Sequence, residues 1–149
     1  MRRRLLPALV AGALCLLGTG AVAWAAGIYT VNAKLTAQTE VPSAKAPAGA
    51  KGAFSGTYKE NASGAMLKWK LSFTGLSGAA TAAHIHKGKP GASGPVVVPL
   101  CGPCKSGASG SAQVSKAVIS ALESGGAYVN VHTGKNPAGE IRGQIKVKG

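Results

Sequence analysis

Three histidines occur in this chain of 149 residues, and two of them stand one residue apart, in His84-Ile85-His86, with His132 further on. On an extended backbone, side chains two residues apart leave the same face, so His84 and His86 project in parallel within reach of one ion. A third imidazole from a neighbouring strand, His132, would complete a set suited to copper or zinc. The alternative is that all three imidazoles are structural and bond to backbone or to Glu140. Asn130, Glu140 and Arg142 fall near His132 in sequence and are the candidate ligand-binding or supporting residues, with an ion pair expected between Glu140 and Arg142. A hydrolytic site is not visible. No serine stands in a nucleophile elbow, and an acid and base pair would have to come from four scattered glutamates with no aspartate.

Cys101 and Cys104, in Cys-Gly-Pro-Cys, form the second chemical motif. An even cysteine count in an exported chain favours a local disulfide. Metal ligation ranks behind it. A redox site ranks last, because Lys105 to Gly110 reads as loop rather than as the helix that stabilises a reactive thiolate.

Strands must position these residues. Ala127 to Val147 alternates twice, Val129 and Val131 against Tyr128, Asn130 and His132, then Ile141, Ile145 and Val147 against Glu140, Arg142, Gln144 and Lys146. With turn-forming residues from Thr133 to Gly139, this predicts a β-hairpin with one apolar and one polar face. Ala65 to Phe73 is the clearest other strand, with Leu67, Trp69, Leu71 and Phe73 inward. Further strands are expected from Val31, around Phe54 and Tyr58, over Thr81 to His86 and over Pro95 to Leu100. Ser111 to Val114 is a candidate edge piece, and Ser43 to Gly52 reads as a mobile connection. Asn61-Ala62-Ser63 is a formal glycosylation sequon read here as a turn. Ser115 to Ser124 is the one expected helix, capped by Ser115 and stopped by Gly125-Gly126. The fold class is therefore all-β: an antiparallel β-sandwich or partly closed Greek-key barrel of about seven or eight strands with one short crossover helix.

Residues 1–25 read as an export signal: Met1 to Arg4 is positive, Leu5 to Val22 is apolar, and Ala23-Trp24-Ala25 is a small-x-small cleavage site. An uncleaved anchor is the alternative. Cys15 does not fit lipid attachment, since Leu14 precedes it. Residues 26–30 are a short linker and residues 31–149 one domain. The expected location is secreted, periplasmic or cell-envelope, with no membrane span after cleavage. From Gly27 onward fourteen basic residues face four glutamates, a net charge of +10 with neutral histidines. Such a charge suits anionic cell-envelope polymers or an extracellular protein partner. The lysines stand singly and aromatics are few, so nucleic acid is not expected.

The stretches Thr39-Glu40-Val41-Pro42, Gly75-Leu76-Ser77-Gly78, Thr81 to His86, Gly94 to Val98, Tyr128 to Thr133, Asn136-Pro137 and Gly139 to Gln144 resemble the CHRD (chordin) domain family, in family order from about Val31 to Val147. The resemblance implies an exported β-rich domain, repeated in animal chordin and single in many bacterial secreted proteins, with no settled activity in its bacterial members. Because the histidines and these stretches converge on one side of the expected strands, the function expected is a secreted, non-enzymatic binding module, with a structural cell-envelope protein that binds anionic polymers as an alternative. A more distant resemblance is to copper/zinc superoxide dismutase. It would match His84, His86 and His132 to copper ligands and Arg142 to an anion-guiding arginine, making a copper-dependent oxidoreductase the alternative function. The bridging and zinc-site histidines and the zinc aspartate of that family have no counterparts here.

Overall fold

The computed structural model describes residues 27–149; the export signal expected at residues 1–25 lies outside them. Nine strands follow one another: β1 (Ile28–Thr36), β2 (Lys51–Asn61), β3 (Gly64–Thr74), β4 (Ala80–Lys87), β5 (Val96–Cys101), β6 (Ala108–Ser115), β7 (Ala127–Thr133), β8 (Ile141–Gln144) and β9 (Lys146–Lys148). One helix, α1 (Lys116–Glu123), joins β6 to β7, and a 3-10 turn covers Ala37–Thr39. Among the described residues no helix is long and apolar enough to cross a membrane.

All strand pairs are antiparallel. The order across the sheet is β5-β4-β7-β8-β1-β2-β3-β6, with β9 also on β1, and the edges β5 and β6 approach each other to give a nearly closed barrel. Strands β8 and β9 share one register against β1, since Thr36 faces Arg142 and Val31 faces Val147. They act as one strand with a break at Ile145. The hairpin expected at the C-terminal end is present, Asn130 facing Arg142 and Val131 facing Ile141.

The period-two pattern sets the inside of the barrel. Val31, Ala33 and Leu35 of β1 pack against Phe54 and Tyr58 of β2 and Leu67, Trp69 and Leu71 of β3, with Ile85, Val129, Val131 and Ile141 closing the far side. Helix α1 begins where Ser115 accepts a hydrogen bond from the Val118 backbone N–H, and it lays Ile119, Ala121 and Leu122 on this core. Ala117, on the opposite side of the helix, is exposed.

Two connections differ from expectation. Strand β6 runs the full length from Ala108 rather than a short edge piece, because β3 offers it a partner from Leu71 to Gly64 that its small residues could not advertise on their own. The Ser43 to Gly52 segment is fastened midway: Lys45 N–H donates to Asn136 Oδ1 and Asn136 Nδ2 donates to Lys45 O. Cys101 and Cys104 are joined as a disulfide, their Cα atoms 5.3 Å apart.

Candidate functional site

Strand β7 is buried along its whole length, on both faces. Its inner face serves the core. Its outer face carries Tyr128, Asn130 and His132, and the register with β4 sets Tyr128 opposite His86, Asn130 opposite His84, and His132 opposite Ala82. The three imidazoles thus meet on the outside of the barrel wall, under the connections that follow β1 and β4. The ring centroids of His84 and His132 lie 4.9 Å apart, those of His84 and His86 5.7 Å, and those of His86 and His132 5.9 Å.

One nitrogen from each ring forms a set whose members all lie within 4.8 Å of one another. Around an ion with bonds of about 2.0 Å, ligand nitrogens sit roughly 3.3–3.6 Å apart, so small ring rotations close the set. The second nitrogens say which atoms are free. His86 Nδ1 donates to Gly94 O at 2.9 Å, and His132 Nδ1 donates to Pro137 O at 3.0 Å. Each carbonyl fixes its ring as the Nδ1–H tautomer and leaves Nε2 as a lone pair, the arrangement in which backbone acceptors hold metal-ligating imidazoles. His132 Nε2 lies 3.1 Å from His84 Nδ1, so His84 donates there and must exchange tautomers to present Nδ1 to an ion. His86 Nε2 is buried and has no protein partner.

Burial, and then the neighbouring imidazoles, lower the pKa of His84 below its ordinary value. Burial also lowers His132, against the hydrogen bond to Pro137 O, with His86 adding to the fall. Both rings are therefore neutral at pH 7 and able to act as ligands.

Glycine makes the support of His86 feasible. A Cβ on Gly94 would sit 1.8 Å from Lys87 O, so only glycine brings this carbonyl up to the ring. Beside the triad stands a stack. The Tyr128 ring lies on His86, centroids 5.0 Å apart and planes within 10°, and the Arg142 guanidinium covers its other side at 3.4 Å from the centroid. Arg142 is 2% exposed and donates from Nη2 to Lys89 O at 3.1 Å. Asn130 Nδ2 donates to Glu40 Oε2 at 2.9 Å. Burial raises the Glu40 pKa, although the Val41 N–H, Asn130 and the charge of Arg142 all pull it down. Among the described residues, the buried side-chain atoms without a hydrogen-bond partner are His86 Nε2, Asn130 Oδ1 and Arg142 Nη1, and all three belong to this face.

The expected Glu140–Arg142 ion pair does not form. Glu140 lies before β8 and turns away from Arg142. It accepts Ser77 N–H at 2.6 Å on Oε1, and on Oε2 it accepts Ser77 Oγ at 2.5 Å, Thr133 Oγ1 at 2.5 Å and Asn136 Nδ2 at 2.9 Å. Burial alone would raise its pKa; these hydrogen bonds, led by Ser77, hold it below the usual carboxylate value. The carboxylate thereby pins the β7–β8 loop that supplies Pro137 O to His132. Of the site residues singled out in sequence, His84, His86, His132, Asn130 and Arg142 share one face; Glu140 secures the loop beside it, and Cys101 and Cys104 form their own clip. Glu40, Tyr128 and the Ser77, Thr133 and Asn136 donors were not marked as site residues. Only Tyr128 carried a signal, its place on the polar side of β7.

An all-β antiparallel barrel with three convergent imidazoles on the outer face of its wall defines a β-domain able to hold a metal ion. The family model of the CHRD domain matches residues 31–145, and the chain belongs to that family. No curated protein and no solved structure matches it significantly.

Proposed function

We propose that this CHRD domain is a secreted, non-enzymatic binding module that holds one copper or zinc ion through His84 Nδ1, His86 Nε2 and His132 Nε2. The observation that carries the reading is His86 Nε2: a lone pair buried at the meeting point of three rings, with the opposite nitrogen already committed to Gly94 O. Leaving such an atom unpartnered costs about 1–3 kcal/mol, which an ion would recover. The half-buried His84 gives an ion access from solvent.

The alternative, a copper oxidoreductase of the dismutase kind, needs an arginine at the surface to draw in an anion. Arg142 is buried against Tyr128 and bonded to Lys89 O, which favours the binding module.

The test is titration of residues 27–149 with Cu(II), Cu(I) and Zn(II) by calorimetry, beside single His84→Ala, His86→Ala and His132→Ala variants checked by circular dichroism. One ion per chain is expected, lost in every folded variant. Absence of stoichiometric binding by the wild-type chain, or binding untouched by all three substitutions, would refute the proposal. Redox turnover dependent on bound copper and abolished by His86→Ala would move the function to the enzyme class.

A further inference from the structure

The lysines look scattered in sequence, yet the fold gathers seven of the thirteen downstream of residue 27 on one side. Lys34, Lys51, Lys59, Lys68, Lys70, Lys146 and Lys148 all project outward from β1, β2, β3 and β9, and all are exposed. Their strand neighbours Val31, Ala33, Phe54, Leu67, Trp69 and Leu71 point the other way, into the core.

Register turns these lysines into a pattern. One row across the sheet reads Lys146, Asn32, Ser55, Lys70, and the next reads Lys148, Thr30, Thr57, Lys68. The lysines of each row are three strand spacings apart, about 14 Å, and the two rows are about 7 Å apart along the strands. Two cationic rails therefore flank a strip floored by Thr30, Asn32, Ser55 and Thr57, which offers hydroxyl and amide groups for hydrogen bonding. At one end the strip meets a groove of about 440 Å³ lined by Lys34, Thr36, Lys51, Ala53 and the half-buried Phe73.

No carboxylate answers this charge. Glu40 and Glu140 are buried on the far side of the barrel beside the histidines; Glu123 accepts the Tyr58 hydroxyl, and Glu60 alternates away from the strip on β2.

We propose that this face binds a linear anionic polysaccharide, laid along the strands with its carboxylate or phosphate groups on the two lysine rails. The strip carries polar groups that match sugar hydroxyls, and the apolar groove at its end fits the face of a sugar ring. The strip itself carries no aromatic side chain on which bases could stack, which sets a single-stranded nucleic acid aside. Ile28 and Met66 stand exposed in the adjoining row on either side of Lys59, so an anionic lipid surface is the rival occupant that the vesicle arm of the test addresses.

The test uses the chain from Gly27 onward, which holds the whole barrel, with chelator present so that the histidine site plays no part. Alginate is the probe, neutral dextran the blank, and duplex DNA and phosphatidylglycerol vesicles the competitors. Two variants carry the same change of net charge: Lys68→Glu/Lys70→Glu/Lys146→Glu/Lys148→Glu on the strip, and Lys45→Glu/Lys105→Glu/Lys116→Glu/Lys135→Glu away from it. All eight lysines are exposed, so both variants should fold, as circular dichroism will show.

Alginate affinity that falls with salt, drops about tenfold or more in the strip variant and changes by less than about threefold in the other is the expected result. Equal losses in the two variants would reduce the effect to net charge and overturn the proposal. So would stronger binding to DNA or to vesicles than to alginate, or no alginate binding at low salt.

Discussion

Replacing Glu140 by Gln tests the carboxylate that holds the hairpin loop. The change keeps size and shape but puts an amide N–H where an oxygen was. Placed at Oε1, the amide meets the Ser77 N–H, which then has no acceptor, a loss of about 1–3 kcal/mol. The donors on Oε2, from Ser77, Thr133 and Asn136, keep a neutral oxygen in place of a charged one. Each such bond weakens by about 1 kcal/mol. Relief from burying a charge offsets part of this, and the lowered pKa says that the hydrogen bonds outweigh burial. The net loss is about 3 kcal/mol, or roughly 12 °C in Tm for a domain of this size.

The assay is urea unfolding of metal-free wild type and Glu140→Gln at several pH values. A carboxylate whose pKa is lower folded than unfolded adds stability that is present above the unfolded value of about 4.3 and is lost as pH falls through the folded value. The gap between the two proteins should therefore be largest near neutral pH and shrink in acid. A variant within about 1 kcal/mol of wild type at pH 7, or a gap that holds constant down to pH 3, would refute this account of Glu140.

Other expectations follow from the same face. His84 and His132 titrate lower in the folded state than in the unfolded chain, so their contribution is present above about pH 6.5 and is lost as pH falls through the folded values. The urea midpoint of the metal-free domain should fall between pH 7 and pH 5, and less so in a His84→Gln/His132→Gln variant. Gly139 has φ of +135°, and a Cβ there would lie 2.0 Å from Asn130 Nδ2 and 2.6 Å from Glu40 Oε2. Gly139→Ala should cost about 2–4 kcal/mol in urea unfolding and weaken metal binding, because it displaces Asn130 beside His84. Arg142→Lys keeps the charge but loses the planar stack on Tyr128, with an expected loss of about 2 kcal/mol by thermal unfolding. The Cys101–Cys104 bridge closes a loop with a sequence separation of only 3. Cys101→Ser/Cys104→Ser should cost about 2 kcal/mol and leave metal stoichiometry unchanged, since neither sulfur belongs to the histidine set.

The histidine site was legible in sequence for a simple reason. His84 and His86 stand in a strand, where a period of two guarantees a shared face, and His132 stands in the most regular alternation of the chain. Their convergence depended only on β4 and β7 being neighbours. Glu40 was not legible, because it reaches Asn130 across 90 residues of sequence, through a connection that offers no periodicity. Glu140 and Arg142 misled for the opposite reason. Two residues apart on a presumed strand they should share a face, but Gly139 at positive φ ends the turn and leaves Glu140 in the loop, facing Ser77. Ser77 lies in the Gly75 to Gly78 connection between β3 and β4, where no periodicity points to a partner. The lysine strip was invisible because its rows join β9 to the β1-β2-β3 meander, and a register across more than a hundred residues cannot be read from spacing.

Strand β1 spans the earliest described part of the barrel, yet it pairs with β8 and β9, whose residues are made more than a hundred positions later. Between them they complete the wall that carries Arg142. A chain emerging from the ribosome can form the β1-β2-β3 meander early, but β1 keeps an open edge until Lys148 has arrived. Closure is thus a late, long-range event, and folding of this kind is slow. The cost is a period during which the uncovered edge of β1 invites pairing with another copy.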